Sequence, residues 1–355
     1  MRIGIPREIK PREGRVALIP EACGPLLDAG HTLLVEQGAG IPSGYRDEDY
    51  SAVGGTIVRG PEEIYAGAQL ILKVKEPQAS ELALLGREHL LFSFLHLAAE
   101  LDLGRRLREI GLTAVAFETV EDDAGRLPLL APMSDIAGRI AAQVGTCLLH
   151  QPQGGKGLLL GGLPAAERGR VVIIGAGTAG GSAATLAAAA GAEVVVFDIN
   201  RDRLAAMRAV GDNVTGLYPY ADAVAREVSR ADLVIGAVLK TGARAPHVVT
   251  RRMIGQMQPG GVVIDIAVDQ GGCVETTRPT TYENPTYEVD GIIHFAVTNM
   301  PGAVPRTASQ VLSAALLPYV LALARPDWKT CKALTRGINV EAGEVVHPAL
   351  KEMFA

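Results

Sequence analysis

The sequence predicts an α/β fold built from two Rossmann-like domains, each with a parallel sheet. Two series of short β-rich segments alternate with helical stretches, an order typical of parallel sheets covered by helices. A glycine-rich turn opens the second series in mid-chain. Because the 355 residues exceed the usual size of one core and 48% of them are hydrophobic, we expect two domains.

The predicted strands form two sets separated by a long helical stretch. Strands of the first set cover residues 2–5, 31–36, 69–75, 90–94 and 113–117. Strands of the second set cover residues 171–174, 193–198, 232–238, 261–269 and 291–297, the order expected of a Rossmann domain. Helices over residues 134–150 and 307–324 flank the second set, so we expect both to bridge the domains and the last segment to pack on the first domain.

The turn that opens the second set reads VVIIGAGTAG and fits G-x-G-x-x-G at Gly175, Gly177 and Gly180. The first glycine suits a tight strand-to-helix turn, the second lets a pyrophosphate approach the backbone, and the third allows close helix packing. The phosphates would then meet a helix N-terminus, which favours anions. An apolar helix over residues 183–190 and a second strand complete a βαβ unit. The pattern indicates a dinucleotide site, and a glycine turn in an unrelated α/β protein is the plain alternative.

Asp198 ends the second strand of this βαβ unit. Its spacing from the glycines is that of a carboxylate that accepts hydrogen bonds from the adenosine ribose hydroxyls, which favours NAD over NADP. Arg201 and Arg203 follow closely and keep NADP as a minor alternative.

Composition excludes several classes of function. The net charge of −5 comes from interspersed charges, so no basic face for nucleic acid is expected. The four cysteines are far apart, which predicts neither a disulfide framework nor a zinc site and is typical of a reducing compartment. The longest uncharged apolar run, residues 311–324, is too short to span a bilayer. We therefore expect a cytoplasmic protein without a membrane segment.

Four polar residues stand at or beyond the ends of predicted strands. Lys75 ends the third strand of the first set, His96 follows the fourth, and Arg15 lies in the loop after the first. Asp269 ends the fourth strand of the second set. Ligands bind α/β proteins at such strand ends and at domain interfaces, so we expect NAD and the substrate in a cleft between the two domains.

These residue types suit an amino or oxo acid. An arginine offers a bidentate fork to a carboxylate, a lysine adds a point charge, a histidine moves a proton near neutral pH, and an aspartate can activate water. Each also has a structural explanation, because charged residues at strand ends are usually solvated. Lys73 shares a strand face with Lys75 by the two-residue period, so the spacing leaves open which lysine faces the cleft. The histidines show no metal-ligand spacing, and no bound metal is expected.

Eight blocks of the chain resemble the alanine dehydrogenase / pyridine nucleotide transhydrogenase family, nearly from end to end. In order they read GIPREIKPREGRVALIP, ILKVKEP, LLFSFLHLA, APMSDIAGR, VVIIGAGTAG, VVIDIAVDQGGC, RPTTY and NMPGAVPRT. The resemblance implies a substrate domain over residues 1–129 completed by 305–355, an NAD-binding domain over 130–304, and assembly as a homohexamer. Residues 322–326 read ALARP where some members of the family carry a carboxylate and a histidine for a cation, so no metal is expected there.

The resemblance also implies a role for each site residue. Arg15 and Lys75 would bind the substrate carboxylate, Met133 would flank the substrate, His96 would be the catalytic acid/base, and Asp269 would handle water and the amino group. The implied NAD contacts are Ser134, Gly175, Gly177, Thr178, Ala179, Gly180, Asp198, Arg203, Val238, Leu239, Ile266, Ala267, Val268, Asp269, Arg278, Val297, Thr298, Asn299 and Met300.

The implied reaction is the NAD-dependent, reversible oxidative deamination of L-alanine to pyruvate and ammonium. A hydride leaves the α-carbon for the nicotinamide, and water attacks the resulting iminium. Three alternatives stay open: an NAD(H)-binding component of a proton-translocating transhydrogenase, a dehydrogenase for another small amino acid, and an idle NAD sensor.

Overall fold

The computed structural model describes residues 1–238 and 246–354, which form two compact units. The first unit comprises Met1–Met133 and Gly302–Ala355, and the second comprises Ser134–Pro301. The sequence expectation places these boundaries after residues 129 and 304. No helix among the described residues is both long and apolar enough to cross a membrane.

Strands of the two units are numbered together along the chain. They are β1 (Arg2–Ile5), β2 (Thr32–Glu36), β3 (Thr56–Val58), β4 (Leu70–Leu72), β5 (Leu90–Ser93), β6 (Thr113–Ala116), β7 (Arg170–Ile174), β8 (Glu193–Phe197), β9 (Val214–Leu217), β10 (Leu233–Gly236), β11 (Val262–Asp265), β12 (Thr286–Val289), β13 (Ile292–Phe295), β14 (Ile338–Glu341) and β15 (Glu344–Val345).

The α-helices are numbered in the same way. They are α1 (Pro20–Asp28), α2 (Asp47–Ala52), α3 (Pro61–Gly67), α4 (Ala79–Leu82), α5 (Leu101–Ile110), α6 (Ala131–Leu148), α7 (Thr178–Ala189), α8 (Arg201–Arg208), α9 (Ala221–Ser229), α10 (Arg251–Ile254), α11 (Pro305–Leu323), α12 (Lys332–Arg336) and α13 (Pro348–Lys351).

The sheet of the first unit has the order β15-β14-β6-β5-β4-β1-β2-β3. Strands β1 to β6 are parallel, whereas β14 pairs antiparallel with both β6 and β15. Because β1, β4 and β5 are neighbours, the loops that follow them start at one edge of this sheet. Those loops contain Arg15, Lys75 and His96.

The sheet of the second unit has the order β12-β13-β11-β10-β7-β8-β9. Its strands are parallel except for β12, which pairs antiparallel with β13. The six parallel strands follow the order of a Rossmann domain, whose dinucleotide lies where the strand order reverses, here between β7 and β10. The predicted α/β class with two mostly parallel sheets is confirmed.

Several predicted strands are longer than the observed ones. The strand predicted over residues 69–75 ends at Leu72, and the one predicted over 261–269 ends at Asp265, with a 3₁₀ turn over Val268–Gln270. After Asp265 the apolar run of residues 266–268 continues past the strand, whereas after Leu72 the two-residue alternation of residues 73–75 continues past it. The sequence prediction also missed the edge strands β3, β9, β12 and β15, together with β14, which pairs with β6 and β15.

The strands are buried because they are nearly continuous runs of β-branched and other apolar residues, as expected for parallel sheets covered on both faces. In the second unit Val172, Val234 and Val263 lie on neighbouring strands and pack with Val224 and Val228 of α9. This packing fixes the strand ends from which the loops of the candidate site leave.

Candidate functional site

The glycine turn between β7 and α7 has the geometry of a phosphate-binding turn. Gly175 has φ +105°, and a Cβ placed on it would lie 2.6 Å from the carbonyl oxygen of Ala237. A Cβ on Gly180 would lie 1.8 Å from the carbonyl oxygen of Gly175, so α7 can start only against a bare backbone. A Cβ on Gly177 would meet no atom within 4 Å. Packing therefore explains two of the glycines, and the open space at the third suits a bound pyrophosphate.

Asp198 holds this turn in place while it stands at the end of β8. Its Oδ2 atom accepts a hydrogen bond from the backbone N–H of Ala176 at 2.7 Å, and its Oδ1 atom accepts one from Asn200 at 2.7 Å. The guanidinium of Arg203 lies 3.9 Å from Oδ2. A carboxylate here would repel the 2′-phosphate of NADP, so its position fits NAD.

Helix α6 approaches the phosphate turn closely within the second unit. A Cβ on Gly138 would lie 2.0 Å from the carbonyl oxygen of Ala179, which shows how tightly α6 packs against α7. Ser134 lies one turn earlier on α6 and is half-buried. Thr178, the first residue of α7, is exposed.

A carboxylate that was not predicted from the sequence accepts hydrogen bonds from several groups of the loop after β11. Asp265 is fully buried and accepts hydrogen bonds from the N–H groups of Ala267, Cys273 and Val274 and from the Thr277 hydroxyl, at 2.8 to 3.1 Å. Burial raises the pKa of Asp265, against the opposing effect of these donors. Its position at a strand end followed by a glycine-containing loop was the available signal.

Asp269 lies in the middle of the loop that Asp265 holds. Its side chain is exposed, and its Oδ2 atom accepts a hydrogen bond from the backbone N–H of Asn299 at 3.4 Å. Ile266 is half-buried, and Ala267 and Val268 are buried. The loop therefore exposes Asp269 to solvent, whereas Ala267 and Val268 before it are buried.

Other implied NAD contacts lie on neighbouring loops of the second unit. Arg278 is exposed, and its guanidinium carbon lies 4.1 Å from the centre of the Tyr287 ring. The backbone N–H of Arg278 donates a hydrogen bond to the Tyr287 hydroxyl at 2.8 Å. Val238 is half-buried after β10. Leu239 lies outside the described residues. Residues 297–300 follow β13, where Val297 and Met300 are buried and Thr298 and Asn299 are half-buried.

Arg15 is buried in the first unit and held by a glutamate that the sequence reading missed. Its Nε and Nη2 atoms donate to the two carboxylate oxygens of Glu13 at 2.7 and 2.6 Å. Its Nη1 atom donates to Met133 Sδ at 3.2 Å, which brings together two of the predicted substrate residues. A bidentate ion pair of this kind fixes the plane of the guanidinium. Glu13 stands two residues before Arg15 in the same loop, and that spacing was the only signal for it.

The structure pairs Lys73 with two buried carboxylates. The Lys73 side chain is wholly buried, with its Nζ atom 3.1 Å from Glu8 and 2.8 Å from Glu81. Burial alone lowers the pKa of Lys73, but the two carboxylates outweigh this effect and raise it. Lys73 is therefore a buried counter-ion. The sequence had predicted that Lys75 ends this strand. Because β4 ends at Leu72, Lys75 instead lies in the loop beyond the strand.

His96 is held in an unusual backbone conformation at the end of the β5 segment. Its φ is +49°, a left-handed value that costs roughly 1–2 kcal/mol in a residue other than glycine. Its N–H donates to Glu118 Oε1 at 2.6 Å, and the N–H of Leu95 donates to the same carboxylate. The imidazole is half-buried and stacks parallel to the Phe94 ring, with the ring centres 5.6 Å apart. Glu118 was not among the predicted residues, because nothing in its local sequence distinguishes it.

Among the described residues, no three histidines, cysteines, aspartates or glutamates form a group that could hold a metal ion.

Comparison with known proteins agrees with this geometry. The N-terminal domain of the alanine dehydrogenase/PNT family matches residues 4–137, and the C-terminal domain of that family matches residues 141–348. The chain belongs to this family. The C-terminal match runs through residues 302–348, which the structure places in the first unit.

Individual relatives match over their full length. An alanine dehydrogenase of Halomonas elongata is 46% identical, and the match covers 100% of this chain and 97% of that protein. A solved L-alanine dehydrogenase has a TM-score of 0.95 and 47% identity, covering 100% of this chain and 99% of the other. A solved transhydrogenase from Sinorhizobium meliloti is more distant, with a TM-score of 0.84, 25% identity, and coverage of 98% of this chain and 100% of the other.

Proposed function

We propose that the protein catalyses the NAD-dependent, reversible oxidative deamination of L-alanine to pyruvate and ammonium. The observation that carries this function is the placement of Arg15, Lys75 and His96 in loops beyond adjacent parallel strands, in a chain that matches alanine dehydrogenases from end to end. This set offers two cations for a carboxylate and one proton carrier, which an α-amino acid needs.

The substrate carboxylate binds Arg15 and Lys75. Glu13 fixes the Arg15 guanidinium, so the positive charge is oriented before the substrate arrives. Met133 already contacts the guanidinium through its sulfur, and its flexible apolar side chain suits a small methyl group. Together these groups orient the α-hydrogen.

His96 moves the proton as water adds to the iminium carbon and as ammonium leaves. General acid–base catalysis of this kind contributes typically ~10²- to 10⁴-fold in rate. Asp269, which is exposed in the second unit, orients the water or ammonia. NAD held by the second unit would supply the acceptor for the hydride that leaves the α-carbon. The backbone conformation that Glu118 imposes on His96 sets where its imidazole points.

The first unit, with residues 305–355 returning to it, is the substrate and catalytic domain, and the second unit binds NAD. The turn at Gly175, Gly177, Thr178 and Gly180 would hold the phosphates, and Asp198 would accept hydrogen bonds from the ribose hydroxyls. The other contacts are those that family resemblance implies on α6 and on the loops after β10, β11 and β13.

The protein works in the cytoplasm as a homohexamer. Light scattering of the purified protein measures the assembly, and a monomer or dimer mass would contradict this part of the proposal. The four widely spaced cysteines, with Cys23 and Cys273 buried and all four free, support a reducing compartment.

An NAD(H)-binding component of a transhydrogenase is the second candidate, because a solved transhydrogenase shares the fold at a TM-score of 0.84. Such a component passes hydride to a partner protein and needs no amino-acid pocket. It would bind NADH without oxidising alanine.

The deciding experiment adds NAD and L-alanine to the protein and follows NADH absorbance, with glycine, serine and lysine in parallel. The fastest turnover is expected with alanine. His96→Ala should bind NADH normally and lose at least 10²-fold in kcat. NADH binding with no turnover of any amino acid would favour the second candidate, and near-normal activity of the variant would remove His96 from the mechanism.

A further inference from the structure

The segment that carries Lys75 continues past the end of strand β4. Strand β4 ends at Leu72, and the last ladder-like bonds join the Lys73 N–H to the carbonyl of Phe92 and the Phe94 N–H to the carbonyl of Val74. The backbone N–H groups of Val74 and Lys75 point the other way. They need an acceptor that the sheet does not supply.

Glu8 supplies that acceptor from the loop after the neighbouring strand β1. Its Oε1 atom accepts the N–H of Val74 at 2.6 Å and that of Lys75 at 3.4 Å. Its Oε2 atom lies 3.1 Å from Lys73 Nζ, and its side chain is only 3% exposed. One buried carboxylate therefore binds three consecutive residues of the segment.

We infer that Glu8 is a positioning residue that sets the backbone of Lys75 and so the place of the substrate carboxylate. The inference rests on the proposed function, in which Lys75 binds that carboxylate. Burial raises the pKa of Glu8, and Lys73 opposes this effect, so the lysine helps to keep the acceptor charged.

Glu81 provides a matched control in the same cluster. Its Oε1 atom lies 2.8 Å from Lys73 Nζ, so it shares the buried lysine with Glu8. Its other contacts are the Tyr65 hydroxyl and the backbone N–H of Gln78. Glu81→Gln weakens the buried ion pair without touching the N–H groups that Glu8 accepts.

The test compares Glu8→Gln with Glu81→Gln in the full chain. A glutamine at position 8 keeps one acceptor oxygen but presents an amide N–H₂ to its neighbours. We expect the KM for alanine, the KM for pyruvate and the inhibition constant of propionate to rise together by roughly ten-fold or more, because small displacements of a positioning group are costly. The Kd for NADH should not change. Glu81→Gln should lower stability and leave these constants within about two-fold of the wild type.

Hydrogen exchange adds a readout that does not depend on turnover. The amides of Val74 and Lys75 should exchange faster in Glu8→Gln than in Glu81→Gln. If Glu8→Gln folds poorly, Glu8→Asp keeps the negative charge that faces Lys73, withdraws the acceptor oxygen from the Val74 and Lys75 N–H groups, and carries the same kinetic expectation.

Two outcomes overturn the inference: unchanged constants in Glu8→Gln, or the same loss in Glu81→Gln. Either would leave the proposed function standing if the wild type oxidises alanine. A wild type that does not oxidise alanine would refute the proposed function and the inference together.

Discussion

Replacement of Gly177 by alanine should separate cofactor binding from folding. The residue has φ −69° and ψ −170°, which alanine adopts without strain, and a Cβ there meets no protein atom within 4 Å. Loss of glycine at a helix N-cap costs about 0.5–1 kcal/mol, whereas a less flexible unfolded chain returns about 0.4–1 kcal/mol. The free energy of unfolding without ligand should therefore change by about 0.5 kcal/mol or less.

The same methyl group would occupy the space through which a pyrophosphate approaches the backbone. A hydrogen bond to a charged group contributes about 1.5–3 kcal/mol, and each 1.4 kcal/mol is about ten-fold in affinity. Loss of one such bond predicts a Kd for NADH about 10- to 100-fold higher, measured by NADH fluorescence titration. Thermal unfolding of the ligand-free protein provides the stability measurement.

Two other glycines of this turn and helix calibrate the result. Gly181→Ala places its Cβ 3.4 Å from the Met207 methyl group, an ordinary contact, so NADH affinity should stay within about two-fold. Gly180→Ala places its Cβ 1.8 Å from a carbonyl oxygen, so the second unit should not fold stably. NADH affinity of Gly177→Ala within two-fold of the wild type would refute the assignment of this turn to the pyrophosphate.

Two further predictions concern buried polar groups of the second unit. Asp265→Asn should lower the free energy of unfolding by about 2–4 kcal/mol. The new amide N–H₂ group would face backbone N–H groups that now donate hydrogen bonds to the carboxylate. Urea unfolding measures this, and an unaltered midpoint would show that Asp265 does not hold the loop around Asp269. Burial lowers the pKa of His294, so its imidazole takes up a proton at a higher pH in the unfolded chain than in the folded chain. The free energy of unfolding should therefore fall as the pH drops below about 6.5. His294→Gln should flatten this decline in urea midpoints between about pH 7 and pH 5, and an equally steep decline would assign it to other groups.

The sequence was sufficient to predict positions at which a steric constraint admits only one residue type. Gly175 and Gly180 carry the steric constraints that the fingerprint predicts, and the strand order around β7 is that of a Rossmann domain. The choice between Lys73 and Lys75 could not be made from the two-residue period, because β4 ends before both lysines. The order β14-β6 could not be predicted either, since it joins residues more than 200 positions apart without a local turn.

Four acidic residues at the candidate site share one physical role. Glu8, Glu118, Asp198 and Asp265 lie in loops or at strand ends, and each accepts backbone N–H groups of a loop that carries a proposed site residue. Of these only Asp198 was predicted, and for its expected contact with a ribose. A loop beyond a parallel strand leaves N–H groups without ladder partners, and a buried carboxylate can accept two or more of them. From the sequence alone such residues cannot be distinguished from solvent-exposed acidic residues. The groups that donate hydrogen bonds to them are backbone N–H groups, which leave no pattern in the sequence. A carboxylate next to a parallel strand end in an α/β protein is therefore a candidate for holding the site, even where it never touches the substrate.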